Sequence, residues 1–204
     1  IVTPIGEHIE EVMVNVDGGS DDEAMTGDDG HFEFPEVPAG EDYTLIPEKT
    51  EGILNGVSTM DLILITKHIL GVQPFASPYK ILASDVNNSQ SITTTDLIKL
   101  RKLVLQIDDQ LPTGTNSWRF VDAGFEFPDP NNPWSTDIPG LLALDNLDGD
   151  VMAADFVGIK IGDVNDTAIP NSLIGTEERS AYAEFGIAVE NRAIEEGETI
   201  TIDF

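Results

Sequence analysis

Oxygen-bearing side chains at fixed intervals are the chemistry this sequence offers. The segment Asp85-Val-Asn87-Asn-Ser89-Gln-Ser91-Ile92-Thr-Thr-Thr-Asp96 places them at positions 1, 3, 5 and 12 of a twelve-residue loop, with an apolar residue at position 8. A hard cation such as Ca2+ takes about six to eight oxygens at roughly 2.3–2.6 Å, and one short loop wraps it with side chains at positions 1, 3, 5 and 12 and a carbonyl at position 7. The predicted ligands are Asp85, Asn87, Ser89, the carbonyl of Ser91, and Asp96. Ser89 stands where a second carboxylate is usual, which lowers the formal charge. Gln90 occupies the position of a turn glycine, so it is expected to take a left-handed backbone. An Asx turn leading into an N-capped helix is the competing reading of these residues.

Two more segments close on an Asp followed by apolar residues. The first, Thr50 to Asp61, includes Asn55 but lacks oxygen side chains at positions 3 and 5. Alone it is expected not to bind. Asp163-Val-Asn165 carries the missing front of a loop and has no second half. The two pieces are expected to meet as a split site drawing on Asp163, Asn165, Asn55 and Asp61, with two independent helix caps as the alternative. The last copy draws on Asp145, Asn146, Asp148, Asp150 and Asp155. The position-8 residues are Val57, Ile92 and Val151.

Helices are predicted to follow each closing Asp. Leu62, Ile65 and Ile69 fall on one face of the first, and Leu97, Leu100 and Val104 match them in the second. Gly71 and then Pro74 mark a helix end. The third helix is expected over Asp155-Phe-Val-Gly-Ile159-Lys160-Ile161. Residues 1–50 read as short strands, with Phe32 and Phe34 on one buried face and Tyr43 with Leu45 on the next. Residues 107–143 read as an insertion whose hairpin runs from Trp118 to Phe127. Its aromatics, with Trp134, are expected to form a small core over the helices, a carbohydrate platform being the alternative. Residues 167–180 read as a linker, and 181–204 as the first strands of a further β-domain.

Charge narrows the partners. Thirty-eight acidic residues against ten basic give a net charge of −28. That surface repels nucleic acid and anionic membranes and favours divalent cations. There is no cysteine, which removes disulfides, zinc thiolates and thiol nucleophiles. No apolar stretch approaches the roughly 18 residues a membrane helix needs. His8, His31 and His68 share no metal-type spacing, and no nucleotide-loop or serine-hydrolase motif occurs, so no catalysis is expected. The opening Ile1-Val2-Thr3-Pro4 and the closing Thr199–Phe204 run read as cuts in a longer, exported polypeptide.

The loop–helix copies resemble dockerin modules, in which closure by Asp is usual. Val37-Pro38-Ala39-Gly40, with its aromatic strand before and Tyr43 after, resembles the carboxypeptidase regulatory-like, or collagen-adhesin B-type, β-sandwich. Leu54 to Leu62, Asp85 to Asp96 and Gly162 to Asn165 together resemble the dockerin-type segments of very large bacterial surface proteins. The resemblance implies a mixed, multi-domain fold. An N-terminally incomplete β-sandwich over 1–50 would precede a dockerin-like calcium domain over 51–166, interrupted by the hairpin insertion, and then the start of another β-sandwich. It implies calcium ions as cofactor and a secreted or cell-surface location. The expected role is a non-catalytic, calcium-stabilised structural or adhesion segment, with neighbouring copies as partners in an extracellular fibre. Docking to a cohesin-like protein is one alternative. Dockerins read that partner at loop positions 10 and 11, here Thr94 and Thr95, and Thr59 and Met60. A carbohydrate-binding accessory of a secreted hydrolase is the other.

Overall fold

The computed structural model describes residues 1–112 and 115–171. The described residues form a mixed fold of strands and three α-helices, with a short 3-10 turn at Pro133–Ser135. In order the strands and α-helices are β1 (Met13–Gly18), β2 (Asp22–Met25), β3 (Tyr43–Glu48), α1 (Thr59–Ile69), α2 (Pro78–Ser84), α3 (Thr94–Val104), β4 (Trp118–Asp122), β5 (Leu142–Leu144) and β6 (Phe156–Lys160).

Four strands form an antiparallel sheet in the order β2-β1-β3-β5. Val14 and Val16 on β1 and Tyr43 and Leu45 on β3 alternate inward, as a half-buried strand requires. Phe32 and Phe34 do pack against this core, edge to face at 6.1 Å, but their segment is not a strand. Pro35 and Pro38 follow it and lack ladder donors, so burial proceeds there without pairing.

β4 and β6 form a separate antiparallel pair, with Phe120 opposite Gly158. This ribbon lies between two cores. Trp118, Phe120 and Phe156 join the sheet's core, while Val121, Ile159 and Ile161 join the helical core with Ile65, Leu82, Leu100 and Leu103. Two expectations fail here. Residues after Asp155 are a strand rather than a third helix. Val157, Gly158 and Ile159 are weak helix formers, and a two-faced strand buries both Phe156 and Ile159, each worth about 1.5–3 kcal/mol. Gly158 gives room to its neighbours: a Cβ there would lie 2.4 Å from Ile9 Cδ1 and 3.0 Å from Phe120 Cε1, so these side chains would have to shift.

The hairpin insertion is the second failure. β4 pairs with β6, not with Phe125–Phe127, and β5 extends the N-terminal sheet. Residues 107–143 are thus woven into both halves. The aromatics divide accordingly: Trp118 and Phe120 sink into the sheet's core, and Phe125, Phe127 and Trp134 cover the helical one. The strands expected over 181–204 lie outside the described residues.

α1 and α3 form as predicted and repeat one another closely. Ser58 and Thr93 are N-caps, each in a capping box with the closing Asp at the third helical position. Ile65 and Leu100, four residues after that Asp, are fully buried. Both helices end on a left-handed residue, Gly71 at φ 66° and Gln106 at φ 54°. At each end the last turn closes in the same way: Val72 N donates to Lys67 O at 2.9 Å, and Ile107 N to Lys102 O at 2.9 Å. α2, which periodicity does not announce, runs directly into Asp85 and buries Ile81 and Leu82.

Candidate cation loops

The loop between α2 and α3 folds inward around its first and last residues. Asp85 and Asp96 are both fully buried. Asp85 Oδ1 accepts from Ser89 N and its Oδ2 from Gln90 N, each at 2.8 Å. Asp96 Oδ2 accepts from Thr93 N at 2.9 Å, and its Oδ1 faces Asn87 N at 3.3 Å. Ser89 Oγ lies 3.2 Å from Ser91 O. Gln90 is left-handed, with φ 60°. Hydrogen bonds within the loop thus tie together the residues read from the spacing, with Asn87 Oδ1 accepting from Ser89 N at 3.1 Å.

The second constellation comes from two segments far apart in sequence. Asp163 Oδ2 accepts from Ala168 N at 2.7 Å and its Oδ1 from Thr167 N at 3.3 Å. Asp61 Oδ2 accepts from Ser58 N at 2.8 Å, and its Oδ1 from Val164 N at 2.9 Å. Thr167 Oγ1 lies 3.0 Å from Gly56 O, 111 residues away. These bonds match those of the first loop at positions 1, 5, 6, 7 and 9. The closing Asp differs, its Oδ1 accepting from position 3 (Asn87 N) in the continuous loop and from position 2 (Val164 N) in the split one. Reading Asp163 to Ala168 and then Gly56 to Asp61 yields Asp-Val-Asn-Asp-Thr-Ala-Gly-Val-Ser-Thr-Met-Asp. The continuous loop reads Asp-Val-Asn-Asn-Ser-Gln-Ser-Ile-Thr-Thr-Thr-Asp. Six residues from one segment and six from the other make twelve positions, cut between positions 6 and 7.

Thr167 and Gly56 thereby supply positions 5 and 7, which spacing along the chain alone does not reveal. Asn55 behaves differently from the expectation. Its amide donates to Ile169 O at 2.8 Å and accepts from Ile169 N at 3.0 Å, so it grips the chain outside the loop. The last predicted group does not assemble in this way. Asp145, Asn146, Asp148, Asp150 and Asp155 are exposed. The turn at Asn146–Leu147 docks on Gly40, Glu41 and the Asp42 carboxylate, while Asp155 lies apart just before β6, its carbonyl accepting from Ala123 N. The helix that would have completed that loop is β6.

Both loops carry electrostatic stress. Burial raises the Asp85 carboxyl above its ordinary range, the Ser89 and Gln90 amides and Arg119 draw it back, and Asp96 adds to the rise. Burial likewise raises Asp163, opposed by the Ala168 and Thr167 amides and reinforced by Asp61. Oxygens also outnumber protons. Thr167 Oγ1 has one proton for Asn165 Oδ1 at 2.6 Å and Gly56 O at 3.0 Å. Two buried carboxylates plus amide, hydroxyl and carbonyl oxygens form a hard, anionic pocket suited to a divalent cation. Among the described residues no three His, Asp or Glu side chains cluster, so neutral oxygens would complete any such shell.

Three bases near the loops escape sequence reasoning. Arg119 Nη2 donates to Asn88 Oδ1 at 2.8 Å. Lys80 pairs with Asp166 at 2.7 Å. Lys160 is buried beneath the split loop and donates to Ile53 O at 2.9 Å. Burial pushes its ammonium down to about 7, against the opposing pull of Asp163 and Asp61. Its one visible signal was a lone base in the apolar run Phe156 to Ile161.

No family model matches this chain. No curated protein and no solved structure matches it either. The functional reading therefore rests on the residues and their geometry.

Proposed function

We propose that this chain is a non-catalytic, calcium-stabilised structural or adhesion segment of a large extracellular bacterial surface protein, with dockerin-like loops set beside a regulatory-like β-domain. One observation carries the calcium reading: the same twelve-position arrangement of oxygens is built twice, once from continuous sequence and once from two distant segments. Buried acid pairs are costly unless compensated, and a divalent cation in each loop compensates both members at once. The ligand sets are Asp85, Asn87, Ser89, Ser91 O and Asp96, and Asp163, Asn165, Thr167, Gly56 O and Asp61. The net charge of −28 suits a calcium-rich exterior.

Calorimetric titration of calcium into the stripped protein tests this reading, with one ion per loop expected. No heat of binding at millimolar calcium would overturn it. Light scattering over a concentration series in calcium tests whether copies assemble into a fibre; a monomer throughout removes that part of the proposal.

Docking to a cohesin-like protein is a second reading, favoured by a specific pattern. Ile63 and Ile98, Leu70 and Leu105, and Val72 and Ile107 hold equivalent positions relative to Asp61 and Asp96, and all six are exposed. Pull-down with cohesin-like domains tests it, and failure of the Ile63→Asp and Ile98→Asp variants to weaken capture would set it aside.

A further inference from the structure

Residues 163–171 do more than complete a loop. Beyond Asp163 the chain is tied down at successive points. Thr167 meets Gly56 O at 3.0 Å. Ile169 is gripped at both its N–H and its carbonyl by Asn55. Pro170 is buried. Asn171 Oδ1 then accepts from Glu10 N at 3.0 Å, and its Nδ2 donates to Asp28 O at 3.0 Å. The segment thus leaves β6, crosses the front of α1 and reaches the N-terminal sheet half. The expected linker begins as a strap that joins the two halves of the fold.

The contacts differ in kind along its length. The outer ones, from half-buried Asn55 to Ile169 and from exposed Asn171 to Glu10 and Asp28, are neutral hydrogen bonds, each individually weak. The inner end hangs on Asp163, whose carboxylate organises the amides of Asn165, Thr167 and Ala168. That carboxylate is set against the Asp61 carboxylate, whose charge disfavours the ionised form of Asp163. A cation between them turns repulsion into a bridge from α1 to the strap. In the continuous loop the same cation would join residues already linked covalently nearby.

We propose that residues 163–171 are a strap fastened by calcium at the split loop, so that the ion couples the helical half to the N-terminal sheet. The inference rests on the calcium reading above and adds a regulated contact between the halves. Occupied, the split loop holds Thr167 and Ala168 on Gly56 and keeps Asn171 beside Glu10. Emptied, the strap opens from its inner end, and the Glu10 and Ile169 amides lose their acceptors.

Deuterium exchange on the full 204-residue chain, with calcium chloride or with chelator, tests the strap. The amides of Thr167, Ala168, Ile169 and Glu10 should exchange about tenfold more slowly in calcium, as expected when a ligand binds only the closed state. Asp85→Asn should keep that gain and Asp163→Asn should remove it. Asn171→Ala should free the Glu10 amide while leaving the number of bound ions unchanged. If calorimetry counts two ions yet these amides exchange equally with and without calcium, the strap is wrong and the calcium reading stands. If no ion binds, both fall. The comparison on the unaltered chain decides even where Asp163→Asn does not fold.

Discussion

Gly56 lies directly against Ala168: a Cβ on Gly56 would fall 2.4 Å from the Ala168 amide nitrogen. These residues occupy positions 7 and 6 of the split loop, touching where a continuous loop has a peptide bond. Gly56 is also left-handed, with φ 74°. Gly56→Ala should therefore meet both a clash and an unfavourable backbone, and should cost about 1–3 kcal/mol. Thermal melting reads the loss, and calcium titration should show the Asp85 loop still filled. Unaltered stability would mean that the two segments are not so closely joined.

The two loops should empty independently. Asp85→Ala and Asp163→Ala should each reduce the calcium stoichiometry by one, because their ligand sets share no residue. The double variant should bind none. Retention of both ions in either single variant would show that its carboxylate is not a ligand.

Calcium should raise the melting temperature. A ligand that binds only the folded state stabilises by about 2.7 kcal/mol at a hundredfold excess over its dissociation constant. The split loop should make the effect global, since its halves are 111 residues apart and part when the fold opens. Superimposable melting curves in calcium and in chelator would leave the metal without a structural role.

Acidity should act with opposite sign in the two states. Asp85 and Asp163 are both raised by burial in the folded chain. In calcium-stripped protein the folded state then holds more protons than the unfolded state, between about 3.9, the ordinary Asp value, and the raised folded value. Stability should fall as pH rises through that folded value, so acidification of the stripped protein through that range, below the titration of Lys160 at about 7, should raise the melting temperature. In calcium the same acidification should lower it, because protonated ligands release the metal. Asp163→Asn should flatten the slope of the stripped protein; an unchanged slope would show that Asp163 carries no such stress.

Local order was legible where the chain supplies its own neighbours. Asp85 to Asp96 and the helices after Asp61 and Asp96 are set by contacts within a few residues: caps, Asx turns and one apolar stripe. Those features depend on spacing along the chain, which a sequence displays directly. The strand at Phe156–Lys160 was not legible, because Asp155 and the residues after it imitate a helix start. Its state was decided by pairing with β4 and by apolar partners on both faces, and propensity yields to such burial. The aromatics from Trp118 to Trp134 show the same dependence, since their allegiance to one core or the other follows from which strand β4 joins. For the split loop the sequence determined the pieces, Asp163-Val-Asn165 and Gly56 to Asp61. Only the tertiary structure put Ala168 against Gly56 and supplied Thr167 and the Gly56 carbonyl, because closing a gap of that length depends on the packing of everything between.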